Sequence, residues 1–250
     1  MTIFYFTATG NSLAVAKQIG GQLISIPQMM DAEETHFKDD AIGVVFPIYS
    51  LAPPEMVRRF LEKAEFEADY TFAVGTYGNM PGACMHNVQK LAEKHGYRFD
   101  YANDLFMLDN FLPVFKIEDE IKKLPKKKVE EMTAKIVEDI HAGRHRQASA
   151  KTGAKILSSL MVLMPKNEKG ALKYIVNGQC NQCGTCAKVC PAKNIAVTDK
   201  VRFSDHCASC YACLHLCPQN AIHLKNEKSG KRWRNPGVSL KEIIAANNRQ

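Results

Sequence analysis

Thr2-Ile3-Phe4-Tyr5-Phe6, Thr7-Ala8-Thr9-Gly10-Asn11-Ser12 and Leu13-Ala14-Val15-Ala16-Lys17-Gln18-Ile19-Gly20 follow one another at the amino end. The first run is apolar and aromatic, as a buried strand is, and the third has helical character. Between them lies a hydroxyl-rich turn that aims backbone N–H groups and side-chain oxygens at one spot beside a helix start. Unsatisfied donors and the helix dipole favour a phosphate there. The turn lacks the Gly-Lys-Ser/Thr of a triphosphate loop and the G-x-G-x-x-G of a dinucleotide fold, so a monophosphate fits it best.

Two further strands are expected over Ala41–Pro47 and Tyr70–Gly75. Ile48-Tyr49-Ser50 leads from the first into a helix over Pro53–Lys63. Thr76-Tyr77-Gly78-Asn79-Met80-Pro81-Gly82 leads from the second into a helix over Ala83–His95. Repeated strand, loop and helix units predict an α/β fold with a doubly wound parallel sheet, and a strand around Phe99–Leu108 is expected to complete five. Ligands of such sheets lie at the carboxyl ends of the strands, so the three loops are expected to converge on one crevice. Lys126–His141 reads as a closing helix, Gly143–Gly153 as a polar linker, and Ala154–Met164 as a segment packing between domains. Asn110 reads as a turn residue within reach of the crevice.

Near the other end, Cys180, Cys183, Cys186 and Cys190-Pro191 are matched by Cys207, Cys210, Cys213 and Cys217-Pro218. Both runs read C-x-x-C-x-x-C-x-x-x-C-P. Three thiolates on one tight turn hold three corners of a cubane, while the fourth sits on the departing segment and ligates the other cluster. The expected sets are Cys180, Cys183, Cys186 and Cys217 for one [4Fe–4S] centre, and Cys207, Cys210, Cys213 and Cys190 for the second. Structural zinc rarely adds a third cysteine in step, and a disulfide framework has no motive at this length without a secretory leader. A reducing cytoplasm is the expected compartment. His206 and His215 flank the ligands and are expected to tune potential by hydrogen bonding.

The loop Thr7-Ala8-Thr9-Gly10-Asn11-Ser12 resembles the T-x-T-G-N-S/T phosphate loop of flavodoxins. With the cysteines, the chain resembles the flavodoxin and ferredoxin fusion proteins of anaerobic bacteria and archaea. The resemblance implies FMN, its phosphate held by Thr7, Thr9, Gly10, Asn11 and Ser12. The loops Pro47, Ile48, Tyr49, Ser50 and Thr76, Tyr77, Gly78, Asn79 to Gly82 would flank the isoalloxazine, with Tyr49 or Tyr77 stacked on it. It also implies three segments: 1–145 for FMN, 146–172 as linker and interdomain helix, and 173–250 as a small α+β two-cluster unit with a basic tail. No carboxylate stands in the Tyr77 loop, which predicts a less negative second flavin potential than in a free-standing flavodoxin.

The formal charge is +7: residues 1–114 carry 8 basic and 14 acidic groups, 115–175 carry 14 and 8, and 176–250 carry 11 and 4. Two clusters with their thiolates and a flavin phosphate each add about −2, leaving the holoprotein near ~+1 and nucleic-acid binding poorly motivated. Lys122, Lys123 and Lys126–Lys128 read as a solvated helix start, and no apolar run reaches the length of a membrane span. Cys84, the ninth cysteine, reads as a buried inert thiol, with a helix-activated thiolate as the alternative. Trp233, within Lys231-Arg232-Trp233-Arg234, is expected to pack the tail onto the body.

The main expectation is an electron relay between the clusters and FMN and on to a redox protein or small-molecule acceptor. An FMN-dependent reductase using NAD(P)H and a cluster-based redox sensor are the alternatives.

Overall fold

The computed structural model describes residues 1–155, 158 and 174–248. Its larger part runs β1 (Thr2–Tyr5), α1 (Asn11–Ile19), β2 (Gln22–Ser25), α2 (Ile26–Met29), β3 (His36–Lys38), β4 (Ala41–Pro47), α3 (Glu55–Leu61), β5 (Glu65–Glu67), β6 (Tyr70–Tyr77), α4 (Cys84–Lys94), β7 (Tyr101–Phe106), α5 (Ile117–Lys127) and α6 (Val129–His141). Five of these strands form one parallel sheet in the order β2-β1-β4-β6-β7. Counted within the sheet this is 2-1-3-4-5, the flavodoxin-like doubly wound order, whose switch point lies between its first and third strands.

The expected α/β fold is therefore present. The edge strand β2 was not read from the sequence, because Gln22–Ser25 is short and partly exposed and carries little strand signal. The central strands are buried on both faces, so they read as continuous apolar runs and their bounds were legible. Gly43 stands opposite Phe72 in the β4–β6 register, and a Cβ on it would lie 2.0 Å from the phenyl ring. The ring thus occupies the space of the missing side chain. Helices cover both faces, and two apolar clusters fill the layers, one around Ile3, Val45 and Val74, the other around Phe4, Phe46 and Val57.

The helix expected over Lys126–His141 is instead two helices broken at Lys128, which adopts the left-handed conformation at φ 48°. Lys122–Lys127 close α5 rather than begin a helix, and Lys127 is buried. The helix start is corrected, and of the five lysines expected in solvent Lys127 alone is buried while the other four are exposed. Of the apolar stretch 156–164, only Ser158 lies among the described residues; it is fully buried, and its Oγ accepts from the Ala83 amide at 2.9 Å.

The smaller part contains two antiparallel pairs, Tyr174–Val176 with Ile222–Leu224 and Ile195–Val197 with Val201–Phe203. Short helices follow the second cysteine of each run, Thr185–Lys188 and Ala212–His215. A closing helix, Leu240–Asn247, begins at a capping box in which Ser239 and Glu242 satisfy each other's orphan amides. That helix packs on α2 and on the Thr185–Lys188 helix, so the tail joins the two parts. Among the described residues no helix is long and apolar enough to cross a membrane.

Candidate functional site

The doubled cysteine motif is doubled in the backbone. Gln182, Gly184 and Lys193 have positive φ, and so do Ser209, Tyr211 and Asn220, each 27 positions on, as Cys207 is from Cys180. These left-handed turns fold each run around its own centre. The structure then crosses the runs: Cys180, Cys183, Cys186 and Cys217 line one cavity, while Cys190, Cys207, Cys210 and Cys213 line the other. The last cysteine of each run thus faces the first three of its counterpart.

Among the described residues, no three His, Cys, Asp or Glu side chains converge tightly enough for a single metal ion. Each set of four surrounds a space, which suits a cluster rather than one ion. Burial pushes the Cys186 thiol up to about 11, with Cys217, Cys183 and Cys180 facing it, and lifts Cys213 well above the thiol range. Such thiols become thiolates only with a cation to share the charge. Backbone amides supply the hydrogen bonds to sulfur: Asn194 N–H to Cys190 and Ala221 N–H to Cys217 at 3.3 Å, equivalent positions in the two runs, and Ser209 N–H to Cys207 at 3.4 Å.

The histidines do not take part in this shell as expected. His206 is exposed beside Asp205. His215 is buried with its pKa lowered to about 4 by desolvation. Its Nδ1 accepts from the Trp233 amide at 3.2 Å, so its Nε2 carries the hydrogen and donates to the Asn110 carbonyl at 2.9 Å. Both nitrogens are spent on the joint between the two parts, leaving neither for a cysteine sulfur. The first part's Phe111 meets Tyr211 at the same joint, ring centroids 5.7 Å apart.

The three loops of the sheet do converge. Ser12 Oγ and Thr76 Oγ1 are 2.9 Å apart, the Ile48 amide donates to Thr76 O at 2.7 Å, and Asn11 Nδ2 donates to Leu108 O at 3.4 Å. Asn110 reaches the crevice after all, its Nδ2 donating to Thr9 Oγ1 at 2.6 Å. Thr7, Thr9 and Ser12 are buried, and the Gly10 amide donates to Thr7 Oγ1. No described residue accepts from the amides of Ala8, Thr9, Asn11 or Ser12. Buried amides call for an acceptor, so this donor set fits a monophosphate.

On the ring side, Pro47 ends β4 while Ser50 and Leu51 have positive φ, and Tyr49 closes a tight turn onto Ala52. Leu51 nearly touches Gly82, where a Cβ would lie 2.9 Å from Leu51 Cβ. Tyr77 stacks on Phe106 with ring centroids 5.2 Å apart, and Tyr49 meets the edge of Phe6 at 6.4 Å. Asn79 is exposed. Gly78 is where the charge reading changes: a Cβ there would lie 2.4 Å from Asp109 Cα, so Asp109 sits against the loop. The loop has no acid of its own, and the Asp109 carboxyl beside it is accompanied by the Lys127 ammonium, which donates to Gly78 O at 2.9 Å.

Beside Asp109 lies a buried pair that sequence reasoning missed. Lys127 Nζ donates to Glu120 Oε2 at 3.0 Å, to Gly78 O at 2.9 Å and to Met107 O at 2.6 Å. Three donors meet three acceptors, and the ammonium also lies 4.1 Å from the Phe106 ring centre. A lysine within a lysine run carries no signal that it will be buried. Cys84 is fully buried and its pKa is raised by desolvation and by Asp104, as for an inert thiol.

Residues 172–218 match the family model of the 4Fe-4S dicluster domain. No curated protein matches the chain. Among solved structures it is similar to a protein of Bacteroides uniformis ATCC 8492 described as a flavoprotein, at 18% identity over 49% of this chain and 97% of that one, with a TM-score of 0.34. It is also similar to the two-electron reduced flavodoxin of Megasphaera elsdenii, at 16% identity over 54% and 98%, TM-score 0.32. The Trp repressor binding protein of Bacillus subtilis is similar at 9% identity over 44% and 84%, TM-score 0.31. The chain thus joins a doubly wound sheet of flavodoxin-like strand order to a 4Fe-4S dicluster domain.

Proposed function

We propose that the protein is an electron-transfer flavoprotein in which two [4Fe–4S] clusters and FMN exchange electrons within one chain and with an external redox partner. The observation that carries the reading is the neighbourhood of Cys210 and Tyr49. Both pack against the apolar cluster built around Phe4, Phe46 and Val57, so one cysteine set abuts the loop after β4. When bound, the clusters supply one-electron steps and the flavin one- or two-electron chemistry.

The chain's own residues have separate tasks. The amides of Ala8, Thr9, Asn11 and Ser12 and the hydroxyls of Thr7, Thr9 and Ser12 bind and orient the phosphate. Tyr49 and the Thr76–Gly82 loop bound the ring position. Cys190, Cys207, Cys210 and Cys213 would hold the inner cluster. Cys180, Cys183, Cys186 and Cys217 would hold the outer one, whose Cys183 is exposed and would be open to an external partner.

An anaerobic reductive titration followed by visible absorption tests this. Flavin bands and the broad cluster shoulder are expected to bleach in stoichiometric proportion. A cluster shoulder with no flavin bands would overturn the flavin half, and absence of the shoulder would overturn the whole.

A further inference from the structure

We propose that the C-terminal tail from Trp233 to Asn247 is the positioning element of the phosphate loop, gripping its outward carbonyls so that its inward amides stay set for a monophosphate. The proposal rests on the reading of Thr7–Ser12 as the FMN phosphate site.

In a trans peptide the C=O and the following N–H point in opposite directions. A loop whose amides converge on an anion must therefore turn its carbonyls away from it. The tail takes those carbonyls. Asn247 Nδ2 donates to Thr7 O at 3.0 Å, and the N–H of the same peptide, that of Ala8, has no described acceptor. The Asn235 amide donates to Thr9 O at 2.8 Å, and the paired N–H, that of Gly10, points to Thr7 Oγ1 on the inner side. Asn11 is held the same way. Its Oδ1 accepts from Trp233 Nε1 at 3.3 Å and Asn235 Nδ2 at 3.1 Å and its Nδ2 donates to Leu108 O at 3.4 Å, so the side chain is fixed by the tail and the amide, with no described acceptor, stays free for the anion.

The fit is close. Gly10 has φ +100°, and a Cβ on it would lie 3.0 Å from Cβ of both Asn235 and Val238, so the tail occupies the space a side chain would need. The tail is tied in turn to the dicluster part. The second hydrogen of Asn247 Nδ2 goes to Val189 O at 3.2 Å, beside Cys190, and the Trp233 amide goes to His215. The dicluster part thereby holds the mononucleotide loop of its neighbour. Because the tail lies on the carbonyl side, it braces the loop and does not cover the donors.

The test uses the full holoprotein, with variants Asn235→Ala, Asn247→Ala and the milder Trp233→Phe, each checked for unchanged cluster absorbance. After anaerobic removal of flavin, FMN and riboflavin are titrated by flavin fluorescence quenching. Loss of one bracing hydrogen bond is expected to weaken FMN by about three- to tenfold while riboflavin, which lacks the phosphate, is unchanged. Tighter FMN binding would make the tail a lid and overturn the proposal, as would equal weakening of both flavins or no change in any variant. Full-length protein that binds neither flavin would show that the FMN reading itself has failed, and the bracing with it.

Discussion

His215 and Asn110 are joined across the two parts of the molecule by a single hydrogen bond, imidazole Nε2 to backbone oxygen at 2.9 Å. The Trp233 amide on Nδ1 leaves the ring no other tautomer. Asn110 continues to Thr9, so one imidazole connects the helix bearing Cys213 to the phosphate loop. His215→Phe would fill the space and orphan both partners, at about 1–3 kcal/mol for each buried group left unpaired. Denaturant unfolding should show that loss, while EPR-monitored potentials stay where they are because neither nitrogen touches a cysteine sulfur. A shift in potential without a change in stability would restore the tuning role expected from the sequence.

The crossed cysteine sets make opposite predictions for two serine variants. Cys183 is exposed and Cys213 is buried, so a soluble paramagnetic relaxer should broaden one reduced cluster signal more than the other. Cys217→Ser should remove the accessible signal and Cys190→Ser the protected one. The reverse pairing would mean that each run holds its own cluster.

Lys127 and Glu120 are each almost fully buried, and the pair ties α5 to the loops after β6 and β7. Lys127→Met leaves a buried carboxylate with Lys123 and the Asp109 amide as its remaining partners and should cost about 3–5 kcal/mol in unfolding free energy. Adding Glu120→Leu should recover part of that, because the stranded charge goes with it. Strictly additive losses would argue that the two side chains act independently.

Glu242 gives the tail a pH dependence. The Lys17 ammonium, then the Ser239 amide and hydroxyl, hold its carboxyl at about 2 against an ordinary 4.5. A depressed carboxylate stabilises the fold above its unfolded value, and that contribution is lost as pH falls from about 4.5 towards 2. Glu242→Gln should mimic the acid state at neutral pH, seen as faster amide exchange over Leu240–Asn247. Unchanged exchange there would place the tail's anchorage elsewhere.

Much of this protein was legible before any coordinates. β4 and the cysteine runs were readable because their signals are local: a strand buried on both faces is a continuous apolar run, and cluster ligation demands fixed spacing. β2 was not, since an exposed edge strand needs no such pattern. The break at Lys128 was missed because Val129, Ile136 and Ile140 mark a helical face only after it, while the lysines just before it carry no pattern of their own.

By itself the sequence determined the α/β class and the doubled C-x-x-C-x-x-C-x-x-x-C-P spacing, because each depends on neighbours a few residues apart. Only the tertiary structure decided the rest. It buried Lys127, set Asp109 on Gly78, turned His215 from the cysteines to Asn110, and laid Asn235 and Asn247 on the loop more than two hundred residues earlier. These are contacts between distant segments, and a side chain's partner at such range is set by packing, which leaves no periodic mark in the chain.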